Sequence, residues 1–169
     1  YMEIPKAVLG KRLLMGGVVD KVSNPQESSV GFRPATSLQV RFCQSDSLVR
    51  LYRVANRPIT GDDSRIGDAL KKSFIVLEQF PIKAYSPDSA LVIDVTSYVF
   101  KDDEYMNPID PKAYNTMDGW VKRKATFKQD RSMISGIASY SDNVSISCNM
   151  SYSLAMSLFG LFPIADDIP

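Results

Sequence analysis

From Val144 to Leu158 every second residue is apolar. Val144, Ile146, Cys148, Met150, Tyr152, Leu154, Met156 and Leu158 alternate with Ser145, Ser147, Asn149, Ser151, Ser153, Ala155 and Ser157. A period of two puts one set on each face of a β-strand, so the stretch predicts one long strand, or two strands around a bend, with one face toward a core. The same alternation recurs along the chain where a helical period of 3.6 does not. Ser37 to Phe42 and Val49 to Val54 predict a hairpin around the polar Gln44-Ser45-Asp46-Ser47. Phe74 to Tyr85 and Leu91 to Val95 predict a second, reversed at Ser86-Pro87-Asp88-Ser89, where proline and aspartate favour a tight turn. Pro81 cannot donate to a sheet ladder, so its strand is expected at an edge or bulged. Leu13 to Val22 reads as an early strand with Gly16-Gly17 as a bulge. Val121 to Phe127 reads as another, with Lys122 and Lys124 turned away from Val121, Arg123, Ala125 and Phe127, and Met133 to Tyr140 as a partner for the terminal strand.

Helix signals are few. Pro5 suits a first helical position and Gly10 the residue past an end, which gives about one turn over Lys6 to Leu9. Asp62 to Ser73 is the longer candidate: Asp63 or Ser64 can cap it, and Ile66, Ala69, Leu70 and Ser73 share a face. These elements predict an α+β fold, a single domain over residues 1–169 that is mainly antiparallel sheet with one or two short helices. A chain of about 150 residues buries roughly 70% of its unfolded surface, so neither metal nor disulfide is needed as a staple. The segment Lys101 to Gly119 fits neither pattern and reads as a long acidic and aromatic loop.

Composition then removes whole classes of chemistry. There is no histidine, and the two cysteines are Cys43 and Cys148. Nucleophile–imidazole pairs and an HExxH zinc helix are therefore excluded from this segment, because each needs a ring that titrates near neutrality or ligates metal. What chemistry remains must use carboxylates, lysines or hydroxyls. Twenty basic residues against nineteen acidic ones leave a net charge of +1, which gives no global field toward nucleic acid. The one dense basic stretch, Lys122-Arg123-Lys124 with Lys128 and Arg131, splits between two faces in a strand, and no nucleic-acid partner is assigned. The longest apolar candidate, Leu154 to Ile164, is interrupted by Ser157, Gly160 and Pro163, so no membrane span is expected. Both cysteines read as free thiols acting as small hydrophobes, with their pairing left open.

Tyr105, Tyr114 and Trp120 are the binding candidates, an aromatic platform for sugar or peptide set against a plain role in anchoring the loop. Asp102, Asp103, Glu104, Asp110 and Asp118 supply oxygen atoms, but their spacing fits no EF-hand, and a solvated acidic loop is the simpler reading. No metal, cofactor or catalytic residue is assigned, and the segment is read as not an enzyme. A carboxylate-pair hydrolase stays open only as a case in which two of the nineteen acids face one another across a cleft.

The order of segments resembles the N-terminal domain of unknown function that precedes the catalytic module in large secreted bacterial zinc-dependent metalloproteases. The likeness rests on Glu3-Ile4-Pro5 with Leu9-Gly10-Lys11, on Val40-Arg41-Phe42, on Phe80-Pro81-Ile82-Lys83-Ala84-Tyr85 followed by Val92-Ile93-Asp94-Val95-Thr96, and on Asp130-Arg131-Ser132. It implies a non-catalytic accessory domain, exported to the periplasm, the outer membrane or the medium. Its partner would be a downstream metalloprotease catalytic domain of the same chain, whose zinc helix would lie beyond Pro169. In that setting the domain would pack against or regulate the catalytic module, or position protein substrate, and a strand-rich domain could lend an edge strand to a peptide. The alternative is a free-standing carbohydrate- or protein-binding module. The 101 to 119 loop is left outside the likeness.

Overall fold

Eleven strands form among the residues described by the computed structural model, which are 1–25, 28–34, 37–54, 75–102, 105–109 and 120–168. The chain divides into two units, Tyr1–Gly16 with Ala35–Tyr98, and Gly17–Pro34 with Val99–Pro169.

The first unit is a six-stranded antiparallel sheet. Its strands are β1 (Met2–Ile4), β2 (Leu13–Met15), β3 (Leu38–Ser45), β4 (Leu48–Arg53), β5 (Ile75–Tyr85) and β6 (Leu91–Ile93), in the spatial order β1-β6-β5-β4-β3-β2. The first expected hairpin is β3–β4. Its reversal is tighter than the polar run implied: Ser45 pairs with Leu48, so Gln44 and Ser45 continue the strand and only Asp46 and Ser47 turn. Asp46 takes φ 52, a left-handed conformation that aspartate tolerates better than most residues. Alternate positions of the central strands fill the core, with Leu38, Val40, Val49, Leu51, Phe80, Leu91 and Ile93 all buried. Each such side chain contributes about 1.5–3 kcal/mol over its exposed state.

Pro81 sits in an interior strand, not at an edge. It stands opposite Leu48 at the end of the β4 ladder, and the β6 ladder begins at the next residue, Ile82. The missing N–H thus falls where β5 changes neighbours, and the expected bulge follows between Ile82 and Ala84.

Helix is scarcer than an α+β fold requires, and the sheet-dominated part of that expectation is what stands. Among the described residues the only α-helix is α1 (Thr96–Val99), beside two single 3-10 turns at Lys6–Val8 and Gln129–Arg131. The Pro5 to Gly10 segment makes a 3-10 turn because Val8 and Leu9 donate three residues back, to Pro5 and Lys6, and Gly10 then leaves with φ 75. The Asp62 to Ser73 helix lies outside the described residues. α1 was not legible from periodicity, being one turn long. It starts because the Asp94 carboxylate accepts the Thr96 N–H at 3.0 Å, which also holds the Asp94 pKa below its ordinary value. Tyr98 buries its ring against Phe80, edge to face at 6.0 Å, and its hydroxyl donates to the Met15 sulfur at 3.7 Å.

The second unit is built on β7 (Val121–Phe127), β8 (Met133–Ser139), β9 (Val144–Asn149), β10 (Tyr152–Leu158) and β11 (Phe162–Ile168). β11, β10 and β7 make a three-stranded antiparallel sheet in that order, while among the described residues β8 and β9 pair only with each other. The long alternating stretch is therefore two strands in two different sheets. β7 forms over the residues expected, with Lys122 and Lys124 exposed and Val121, Arg123, Ala125 and Phe127 partly covered. The early strand is shorter than expected: it stops at Met15, and Val19 bonds instead to the loop at Phe32 and Gly31.

Candidate functional site

Two features of the second unit expose apolar surface that its own fold does not use. The first is a two-stranded arm. β7 and β10 pair from Val121↔Leu158 to Phe127↔Tyr152, and β8 and β9 continue the same ribbon from Met133↔Asn149 to Ser139↔Val144. Between them the chain breaks step at Lys128–Ser132 on one side and Met150-Ser151 on the other. The break is fastened by serines. The Ser132 hydroxyl donates to the Lys128 carbonyl at 2.8 Å and accepts the Ser151 N–H at 3.0 Å, and the Ser151 hydroxyl donates to the Arg131 carbonyl at 2.9 Å.

Neither outer edge of the arm has a strand neighbour among the described residues. The strands read Met-Ile-Ser-Gly-Ile-Ala-Ser and Val-Ser-Ile-Ser-Cys-Asn, with no charge and no proline. Those are the usual protections of a free edge, and only one bulge, between Ile134 and Gly136, stands in for them. That bulge shifts the phase of β8, so Ile134 and Ile137 join Val144, Ile146 and Cys148 on one face; Ile137 and Val144 are exposed there. Burial pushes the Cys148 thiol pKa up, which keeps it protonated at neutral pH and a poor nucleophile. Both cysteines are free.

The second feature lies at the opposite end of the ribbon. Leu158-Phe159-Gly160-Leu161 reverses β10 into β11, with the Leu161 N–H donating to the Leu158 carbonyl at 3.0 Å. Phe159 has φ 53 and Gly160 φ 76, the positive pair that a type I′ turn demands and that Asn-Gly ordinarily supplies. A phenylalanine in the left-handed region is an outlier. Its backbone N–H bonds the Trp120 carbonyl at 2.7 Å, and the two rings stand 5.6 Å apart. Trp120, Phe159, Leu161 and Phe162 are 61, 52, 78 and 63% exposed. Lys122 lies over Gly160, where an added Cβ would meet its Cδ at 3.2 Å.

Of the three aromatic candidates, Trp120 is exposed at this tip, Tyr105 is half-buried, and Tyr114 lies outside the described residues. The ring beside Trp120 is that of Phe159, which the sequence reading passed over as part of an apolar run; the signal that marks it is an aromatic residue before glycine between two alternating stretches. Of the acidic loop, Asp103, Glu104, Asp110 and Asp118 lie outside the described residues. Asp102 accepts the Tyr152 hydroxyl at 3.2 Å, and Tyr152 also packs on Phe127 at 5.4 Å. Burial first, and the Asp102 charge second, push the Tyr152 pKa well above its ordinary value. Among the described residues no three cysteine or carboxylate side chains come together as a metal site, and no helix is long and apolar enough to cross a membrane.

A family model described as Domain of unknown function (DUF5117) matches residues 35–160. No curated protein and no solved structure matches the chain.

Proposed function

We propose that this chain, which belongs to the family described as Domain of unknown function (DUF5117), is a non-catalytic accessory domain of an exported zinc-dependent metalloprotease that holds extended protein substrate by strand addition. The parent and its export are taken from the resemblance carried by Phe80-Pro81-Ile82-Lys83-Ala84-Tyr85 and its companion segments. The mode of action rests on one observation: β8 and β9 form an uncharged arm whose outer edges have no strand neighbour among the described residues. An extended peptide laid along such an edge gains main-chain hydrogen bonds whatever its sequence, while alternate side chains meet the Ile137 face. Sequence tolerance of that kind suits a domain that feeds varied chains to a protease.

The test is amide hydrogen exchange of the chain with and without an unfolded casein-type substrate. Added substrate should slow exchange within residues 133–149, and Ile137→Lys, which puts a charge beside the edge, should abolish that protection. Unchanged exchange along both strands of the arm would sink the reading. A free-standing carbohydrate-binding module is favoured only by the exposure of Trp120, and it would place protection at the tip on addition of oligosaccharide and none on the arm.

A further inference from the structure

The two edges of the arm are not equivalent. β8 carries an extra residue: Ile134 pairs with Cys148 and Gly136 with Ser147, so Ser135 is left over as a bulge. A bulge spoils an edge for further pairing. β9 has six residues with no bulge, no charge and no proline. The other edge strands among the described residues are protected: β1 and β2 are three residues long, β7 carries Lys122 and Lys124, and β11 contains Pro163 and Asp166-Asp167.

The turn of the hairpin sets which backbone groups of β9 face outward. The Tyr140 N–H donates to the Asn143 carbonyl at 2.8 Å, which makes those two a hydrogen-bonded pair. Along an antiparallel ladder such pairs alternate with non-bonded ones. Ser145 and Ser147 therefore bond inward, to Ala138 and Gly136, while Val144, Ile146 and Cys148 turn their N–H and C=O groups to the free edge. The same three residues carry the apolar side chains of β9, on the face shared with Ile134 and Ile137. Between its ends the opposite face presents Gly136, Ala138, Ser145 and Ser147.

A strand bonded along that edge has its own side chains sorted by the two faces. Residues directly opposite Val144, Ile146 and Cys148 fall on the apolar face, within cross-strand reach of those side chains. Residues between them fall beside serines, where size and polarity matter little. We propose that β9 is the docking edge and that it takes extended segments with apolar residues at every second position, held by about six main-chain hydrogen bonds. Such segments are the strand-forming stretches that an unfolded protein exposes and a folded one hides. The proposal rests on the strand-adding reading of the arm and names the substrate class of that site.

The experiment uses two lysine-tailed peptides of equal composition, one with valine at every second position and one with the same valines at every third, threonine filling the rest. Residue-resolved amide exchange of the chain is followed with each. The alternating peptide should slow exchange at Val144, Ile146 and Cys148, leave Ile137 unchanged, and bind about five- to tenfold more tightly than the other, the worth of the two cross-strand pairs that the wrong spacing forfeits. Methylating its amide nitrogens along one edge should abolish binding. Equal affinity of the two peptides, with protection still on β9, would overturn the substrate class and leave strand addition standing; protection at Ile137 instead would overturn the choice of edge. If neither these peptides nor a casein-type chain protects either strand, strand addition itself falls. Protection of β9 that grows with protein concentration alone would assign the edge to a second copy of the chain and overturn the proposal.

Discussion

Phe159 and Trp120 are joined twice, by a 2.7 Å hydrogen bond from the Phe159 N–H to the Trp120 carbonyl and by rings 5.6 Å apart at a tilt of 37°. The backbone bond extends the β7–β10 ladder one pair past Val121↔Leu158. The bond does not depend on the side chain at 159, but the ring contact does. Phe159→Asn removes a cross-strand aromatic pair worth about 0.2–1 kcal/mol and relieves left-handed strain of about 1–2 kcal/mol. We expect stability unchanged or raised by up to about 2 kcal/mol in urea denaturation followed by circular dichroism, relief being the larger of the two effects. A loss of more than about 1 kcal/mol would show that the ring is a structural element of the turn.

The serine joint decides whether the arm keeps its direction. Ser132→Ala deletes a donor to the Lys128 carbonyl and an acceptor for the Ser151 N–H in one step. Leaving those part-buried groups unpaired costs about 1–3 kcal/mol. Because the arm has no other strand beside it among the described residues, we expect the loss to appear as faster amide exchange across residues 133–149, with the β7–β10 pairing little changed. Uniform acceleration over the whole second unit would mean that the joint is not a local fastening.

In the first unit the Tyr98 ring and its hydroxyl do separable jobs. Tyr98→Phe keeps the edge-to-face contact with Phe80 and loses a weak 3.7 Å hydrogen bond to sulfur, so it should cost less than about 1 kcal/mol. Tyr98→Ala empties a buried site and should cost about 3–5 kcal/mol. Equal losses in the two variants, measured by chemical denaturation, would contradict the assignment of the stabilisation to the ring.

Tyr152 makes stability fall at high pH. Burial and the neighbouring Asp102 hold its phenol in the protonated form, so the folded state keeps a proton that the unfolded chain releases near pH 10. The contribution is complete below that pH and is lost progressively as pH rises above it. Tyr152→Phe should flatten the alkaline limb of the stability curve of the second unit. An unaltered alkaline limb would place the sensitivity elsewhere.

Much of the fold was legible because a half-buried strand writes its two faces directly into the sequence. Val121 to Phe127 forms as expected from end to end, and Met133 to Ser139 pairs with the first half of the Val144 to Leu158 stretch. The break in that stretch was not legible, since the apolar and polar positions keep step straight through Met150 and Ser151. What marks the break is a hydrogen bond from the Ser151 N–H to the Ser132 hydroxyl, nineteen residues away in sequence. The strand expected from Leu13 to Val22 stops at Met15 for a related reason: hydrophobic residues continue past Gly16-Gly17, but Val19 finds its backbone partners in a loop. At the tip, Trp120 stood out because tryptophan is rare. Phe159 did not, because an exposed ring and a buried one look alike in an apolar run until the fold exposes one of them.

The central claim is that this segment serves a protease without being one. Its most direct test is to prepare the full-length parent with and without residues 1–169, and with Ile137→Lys, and to follow cleavage of a casein-type substrate with and without a zinc chelator. The account predicts chelator-sensitive proteolysis in the intact parent, a lower rate on unfolded substrate after deletion, and a comparable drop with the single substitution. Absence of proteolysis from every form, or rates indifferent to both changes, would contradict it.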